Sequence, residues 1–448
     1  ERGSSEEQSC PHAFEAEEND HSLDELQTCS VPKSTPSTNH SKSQQSPTTQ
    51  SKECGVYLAS SSIPGAGLGI FAGKAYFVDD LVGSNDVAIP IHSSWLDDQD
   101  DELFEDFINP FRDYVWHNTY LGFGANQESF DAVGVLWPGI NALVNCYPIL
   151  TNLHLILPEY DAGKVHRFQH PGAGASSPYH KGGARVIRYI PPGGELFENY
   201  GASYLQTRPS FASVPIASDV QTVRNLLQTF FDLPLGKSPR YKLYDMMRNV
   251  ASIWEPRLVN VLPTQFDDAE AVMEFFQGDL GRLHQPNRTR DLSWLRENGR
   301  CIDTMIRKES TLEGAGMGAF AKDFYPKGTI LTSSPVLRVR RHWLERLVHR
   351  PNGTIATSPD LLWNYCFGAQ SSSLLLCPYS AGITSINHNQ TLANVRVQWA
   401  KHGYLVHDDT AFDVPPWQVD YLKQKPLLVL DYTVTKDIEE GEEIFLDY

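Results

Sequence analysis

Asn387 and His388 stand side by side in SINHNQTLANV (385–395), between two apolar runs. A carboxamide donates and accepts at once, and an imidazole donates through one ring nitrogen while accepting at the other. Polar groups set among apolar residues must find partners when buried, so the pair suits a site that reads a polar ligand. Upstream, GAGMGAFA (314–321) places glycines at 314, 316 and 318. Alternating glycines leave the backbone bare and let a ligand approach it closely. The loop is no dinucleotide fingerprint, because it runs through Pro326 and Gly328 into a β-branched stretch instead of opening a helix. The closing stretch DIEEGEEIFLDY joins a glycine turn, a short strand, Asp447 and Tyr448. A tyrosine hydroxyl there can position an amine.

These three blocks each occur twice. GAGLGIFAGKAY (65–76) recurs as GAGMGAFAKDFY (314–325), VNCYPILTNL (144–153) as INHNQTLANV (386–395), and GGELFENY (193–200) as GEEIFLDY (441–448). The order is kept and the offset stays between 242 and 249, which is the mark of an internal repeat. The expected organisation is a Ser/Thr/Gln-rich disordered tail over 1–52, a first copy over 53–205, a helical linker over 206–299 and a second copy over 300–448. Within each copy the pattern is mainly β: KGTILTSSPVLRVR and PLLVLDYTV are rich in β-branched and aliphatic residues bounded by Pro and Gly. The linker reads as helices, with Val220, Val223, Leu227 and Phe230 on one stripe.

Composition narrows the partners. A net charge of −18 argues against direct nucleic-acid binding and suits a basic, lysine-containing protein or peptide. No apolar run reaches the length of a membrane span. The seven cysteines show no zinc spacing, so no metal site is expected, and they leave the redox compartment open. Four N-x-S/T sequons begin at Asn39, Asn287, Asn352 and Asn389, a number close to chance in this composition.

Taken in order, GAGMGAFA, INHNQTLANV and DIEEGEEIFLDY resemble the motifs of the SET-domain protein lysine methyltransferases. The resemblance implies a mainly β fold, a β-clip with a knot-like core, with S-adenosylmethionine as cofactor on one side and a lysine channel on the other. It implies that Gly316, Met317 and Gly318 contact the cofactor through the backbone and that Asn387 and His388 bind its adenine and amino-acid portions. It implies Tyr448 beside the lysine amine, with Tyr432 as a candidate for the channel wall. Acidic residues Asp408, Asp409 and Asp413, and the insert WLDDQDDELFEDF (95–107), are candidates for attracting a basic segment.

Departures define the rival reading. The first copy keeps Asn145, Asn152 and Tyr200 but carries Cys146 in the place of His388. The second lacks the Cys and Pro that often follow the Asn-His pair in the family. A tandem pseudo-SET protein that binds partners without catalysis is the alternative. Asn394, whose counterpart Asn152 survives the loss of the histidine, is assigned to the shared fold.

Overall fold

The computed structural model describes residues 54–92, 114–117, 133–156, 158–167, 169–170, 173–174, 176–201, 204–205, 211, 213–274, 286–349, 351–368, 374–400 and 428–447. The first half contributes β1 (Val56–Ser60), β2 (Leu68–Ala72), β3 (Leu81–His92), β4 (Val115–His117), β5 (Val133–Leu136), the short helix α1 (Ile140–Leu143), β6 (Asn145–Cys146), β7 (Leu153–Ile156), β8 (Tyr179–Val186) and β9 (Phe197–Glu198). Five helices follow: α2 (Ala217–Asp232), α3 (Lys237–Trp254), α4 (Pro256–Val261), α5 (Phe266–Glu274) and α6 (Leu292–Asn298). The second half contributes β10 (Arg300–Cys301), β11 (Met305–Glu309), β12 (Met317–Ala321), β13 (Ile330–Arg340), β14 (Glu345–His349), β15 (Ile355–Pro359), β16 (Leu374–Pro378), β17 (Asn387–His388), β18 (Val395–Trp399), β19 (Val429–Val434) and β20 (Glu443–Leu446). The fold is mainly β, as the strand-forming runs predict.

The pairing of the first half recurs in the second. The hairpin β1·β2 aligns Val56 with Ala72 and Ser60 with Leu68, and β11·β12 aligns Met305 with Ala321 and Glu309 with Met317. The order β5-β3-β8-β7 is matched by β16-β13-β19-β18. Two short parallel ladders complete the correspondence. Asn145 pairs with Phe197 and Cys146 with Glu198 on β6·β9, while Asn387 pairs with Phe445 and His388 with Leu446 on β17·β20. Parallel neighbours cannot be joined by a tight turn, so each Asn-containing segment is brought to its terminal strand from elsewhere in the chain.

The two halves share a core. Val87, Ile89 and Ile91 of β3 pack in one cluster with Leu337 and Val339 of β13, Trp343, Leu344, Leu362 and Tyr379. Full burial of each such aliphatic side chain contributes roughly 1.5–3 kcal/mol. Pairing of β1 with β10 sets Tyr57 opposite Cys301, and the adjacent Cys54 and Cys301 form a disulfide across 247 residues. A second disulfide joins Cys366 to Cys377 at the edge of the shared core. A polar contact crosses the same seam: Arg307 Nη2 donates to His180 Nδ1 at 2.5 Å. Burial, and then Arg307, push the His180 pKa down to about 4, so the ring stays a neutral acceptor.

The helices form around an aromatic and aliphatic stripe. Val223, Leu227 and Phe230 of α2 are buried, and Asp219 accepts from the Ile216 N–H at 2.8 Å to cap the first turn. Helix α3 has Pro239 in its first turn, where a missing N–H costs nothing. Among the described residues no helix is long and apolar enough to cross a membrane.

Candidate functional site

The Asn-His segment is held by a buried glutamate. Glu443, at the start of β20, takes the Ser310 hydroxyl on Oε1 at 2.7 Å and the Thr311 N–H on Oε2 at 2.7 Å, with the Thr311 hydroxyl also on Oε2. Asn387 completes the network. Its Nδ2 donates to Ser310 Oγ at 3.1 Å, to the Met317 carbonyl at 3.2 Å and to Glu443 Oε1 at 3.3 Å. Burial pushes the Glu443 carboxyl up, but the hydrogen bonds from Thr311, Ser310 and Asn387 outweigh it and hold the pKa below the ordinary value. Gly318 lies against this carboxylate, and a Cβ there would sit 2.1 Å from Oε1. The third glycine of the loop is therefore a packing requirement of the network.

The same network exists in the first half. Glu195 takes the Ser61 hydroxyl at 2.7 Å and the Ser62 N–H at 2.8 Å, and Asn145 Nδ2 donates to Ser61, to the Leu68 carbonyl and to Glu195 at 3.0–3.1 Å. Sequence patterning alone assigns this glutamate no role. The signal was present all the same: Glu195 and Glu443 occupy matching positions in two otherwise diverged blocks.

Asn394 and Asn152 act as clasps on the terminal strands. Asn394 Nδ2 donates to the Glu443 carbonyl at 2.9 Å, and its Oδ1 accepts from the Phe445 N–H at 2.9 Å. Asn152 makes the same pair of contacts to Glu195 and Phe197, at 3.0 and 2.8 Å. Both asparagines are buried, so the expectation that Asn394 serves the shared fold agrees with its geometry.

The faces of the two halves then diverge. In the second half, His388 and the backbone at Gly314 and Gly316 are exposed. Both glycines have positive φ, 78° and 70°, and no other group lies within 4 Å of where their Cβ atoms would be. Met317 is half-buried and lends its carbonyl to Asn387, which leaves the Asn387 Oδ1 as the acceptor of that carboxamide. Bare backbone, a carboxamide oxygen fixed in direction and an exposed imidazole fit the polar ends of an S-adenosylmethionine molecule. Tyr432 is fully buried in β19, in one core cluster with Ile386 and Leu446. Tyr448 falls outside the described residues, as do Asp408, Asp409, Asp413, the insert at 95–107 and the tail at 1–52.

In the first half Gly65 and Gly67 are exposed in the same way, at φ of 78° and 72°, but the position matching His388 is covered. Ile63 of the glycine loop, Cys146, Tyr147, Ile149 and Leu150 are buried in one cluster with Val223, Leu227 and Phe230 of α2 and with residues of α3, α4 and α5. The helices expected only to bridge the halves pack directly onto this ladder. Cys146 Sγ accepts from the Tyr200 N–H at 3.4 Å, and burial pushes the thiol up to about 12. Its ladder partner Glu198 is also buried, with Oε2 lacking a hydrogen-bond partner, and desolvation raises that carboxyl to about 8. The exchange is thus a coupled one, from His388 and Leu446 to Cys146 and Glu198. Tyr200 turns its hydroxyl to the Val144 carbonyl and sets its ring edge-on to Trp116 and Tyr204, with centroids 5.2 and 4.8 Å away.

No protein-family profile matches the chain, and no curated protein matches it. Among solved structures it is similar to a putative histone methyltransferase of Plasmodium falciparum, at 18% identity over 32% of this chain and 92% of that one, with a TM-score of 0.20. It is also similar to the Polycomb repressive complex 2 of Chaetomium thermophilum in an autoinhibited conformation bound to S-adenosylmethionine, at 17% identity, covering 37% of this chain and 17% of that one, TM-score 0.22. A third likeness is to an active Polycomb repressive complex 2 in the stimulated state, at 13% identity over 53% and 31% of the two chains, TM-score 0.22.

Proposed function

We propose that the second half is an S-adenosylmethionine-dependent methyltransferase centre acting on lysine side chains of a protein, and that the two halves are copies of one domain of which only the second keeps an open site. One observation carries this reading. The glycine loops of the two halves are equally exposed, but beside the matching asparagines His388 is exposed, whereas its counterpart Cys146 is buried under the helices.

The bound cofactor would supply a methyl group on an electrophilic sulfonium. The chain supplies position. Glu443 and Ser310 fix the Asn387 amide, so its oxygen faces outward without a rotamer search, and His388 adds a second polar contact. Backbone groups at Gly316 and Met317 line the approach. Tyr448 is assigned to orient the lysine amine, and Tyr432 supports the channel wall from within the core. Transfer needs a neutral amine. Burial in a channel lowers an ammonium pKa, because desolvation disfavours the charge, and alignment of amine, methyl and sulfur supplies much of the rate.

Calorimetric titration with S-adenosylmethionine tests the reading. Binding is expected in the wild type and at least tenfold weaker binding in His388→Ala, while Cys146→Ala leaves the affinity unchanged. Absence of binding to the wild type removes the enzyme reading and leaves the partner-binding alternative, which the covered first half favours.

A further inference from the structure

Four of the five cysteines among the described residues are paired, Cys54 with Cys301 and Cys366 with Cys377, and the fifth, Cys146, is buried. Structural disulfides form and persist where the thiol–disulfide balance is oxidising, and are rare where glutathione keeps thiols reduced. The first bridge ties the two halves together, and the second closes a short loop of the second half at the edge of the shared core. This changes the weight of the sequons. In an oxidising, secretory setting an N-x-S/T tripeptide on an exposed turn is an acceptor for an N-linked glycan.

The three sequons among the described residues are not equivalent. Asn389 is half-buried, donates its backbone N–H to the Leu446 carbonyl and accepts from the Thr391 and Leu392 N–H groups, next to His388 on the open face. A glycan there would stand over the candidate site. The sequon of Asn287 is laid along the first half: Thr289 bridges Gly194, and the Arg288 carbonyl accepts from the Glu195 N–H. Asn352 differs from both. It lies at the tip of the hairpin β14·β15, where residues 351–355 are all exposed. Its Oδ1 accepts from the Thr354 N–H at 3.1 Å and from the Thr354 hydroxyl at 2.7 Å, across Gly353 at a φ of 79°. Nδ2 makes no hydrogen bond among the described residues. Donation of a hydroxyl to a carboxamide oxygen withdraws electron density and makes the amide N–H more acidic, so the turn both presents the nitrogen and prepares it.

We propose that Asn352 is a site of N-linked glycosylation and that this protein matures in an oxidising compartment. The inference is independent of the methyltransferase reading. In the transfer, Asn352 Nδ2 forms a bond to C1 of an oligosaccharide carried on a polyprenyl pyrophosphate. The bond from C1 to the pyrophosphate oxygen breaks, the polyprenyl pyrophosphate leaves with the electron pair, and Nδ2 gives up one proton to base.

The test is expression of the full chain behind a secretory leader in eukaryotic cells, followed by peptide mapping without reduction and by enzymatic deglycosylation. The expected result is a peptide linking Cys54 to Cys301 and one mobility step that deglycosylation removes, leaving aspartate at position 352. That step should vanish in Asn352→Gln and in Thr354→Ala, and persist in Thr354→Ser and in Asn389→Gln. If a variant is not secreted, translation in the presence of microsomes gives the same readout on the nascent chain. Oxidised, secreted protein without a glycan on Asn352 overturns the site. Free thiols at all four paired cysteines overturn the compartment.

Discussion

Asn387 Nδ2 lies 3.3 Å from Glu443 Oε1, and Asn145 Nδ2 lies 3.1 Å from Glu195 Oε1, so the same carboxamide–carboxylate contact is built twice into one chain. In each half it ties a glycine hairpin, an internal segment and a terminal strand at one point. Asn387→Asp keeps the shape but turns a donor into a second carboxylate facing Glu443. Chemical denaturation should show a loss of about 2–4 kcal/mol, since a buried unpaired charge is among the costlier defects. Asn387→Ser should lose less.

Asn394→Ala strips partners from the Glu443 carbonyl and the Phe445 N–H, both in buried strand. Each orphaned group costs about 1–3 kcal/mol. The same change at Asn152 should cost a similar amount. Thermal melts of both single variants and the double test whether the halves melt together, as a shared core requires. Two separated transitions would argue against that core acting as one unit.

Opposite pH signatures are expected from two glutamates. The folded pKa of Glu443 lies below the ordinary value, so its contribution to stability is present above the unfolded pKa of about 4.3 and is lost as pH falls through the folded value. The stability gap between the wild type and Glu443→Gln should therefore be widest above about pH 5 and narrow in more acid solution. Glu198 runs the other way. Its folded pKa is raised to about 8, so the folded state holds the proton more tightly, and stability declines as pH climbs from the unfolded value through about 8. Glu198→Leu, which installs the residue type of Leu446, should remove this decline and stabilise the protein at pH 9 by an amount on the order of a few kcal/mol.

Cys146 should be inert in the native state. A thiol pushed up to about 12 and buried under α2 carries almost no thiolate at neutral pH. Peptide-resolved alkylation should label Cys146 only after denaturation. Native labelling at a rate near that of a free thiol would show that the helices open readily.

Much of the fold was legible because strands carry a local signature. The runs that became β13, β19 and β20 announce themselves by β-branched residues between Pro and Gly, and α2 by its apolar stripe. The internal repeat located the Asn-His ladder. What stayed hidden depends on contacts far apart in sequence. Nothing local to Cys54 specifies Cys301, and nothing local to Asn387 says that its Nδ2 is spoken for by Ser310, Met317 and Glu443. Likewise α2 reads as an amphipathic helix, but its sequence does not tell which surface its stripe will cover. Tyr432, a channel-wall candidate by the family resemblance, lies in the buried core of the second half, a placement that its motif alone does not specify.

The bridge between Cys54 and Cys301 makes everything between them a closed ring, with the second half hung from the point of closure. A single proteolytic cut anywhere in that ring, including the exposed stretches of α3, opens it without releasing a fragment. Such nicked protein should run as one band without reductant and as two with it. Within the ring, parting the two sides of a single cut takes a reductant, whereas one cut just beyond Cys301 frees the rest of the second half outright.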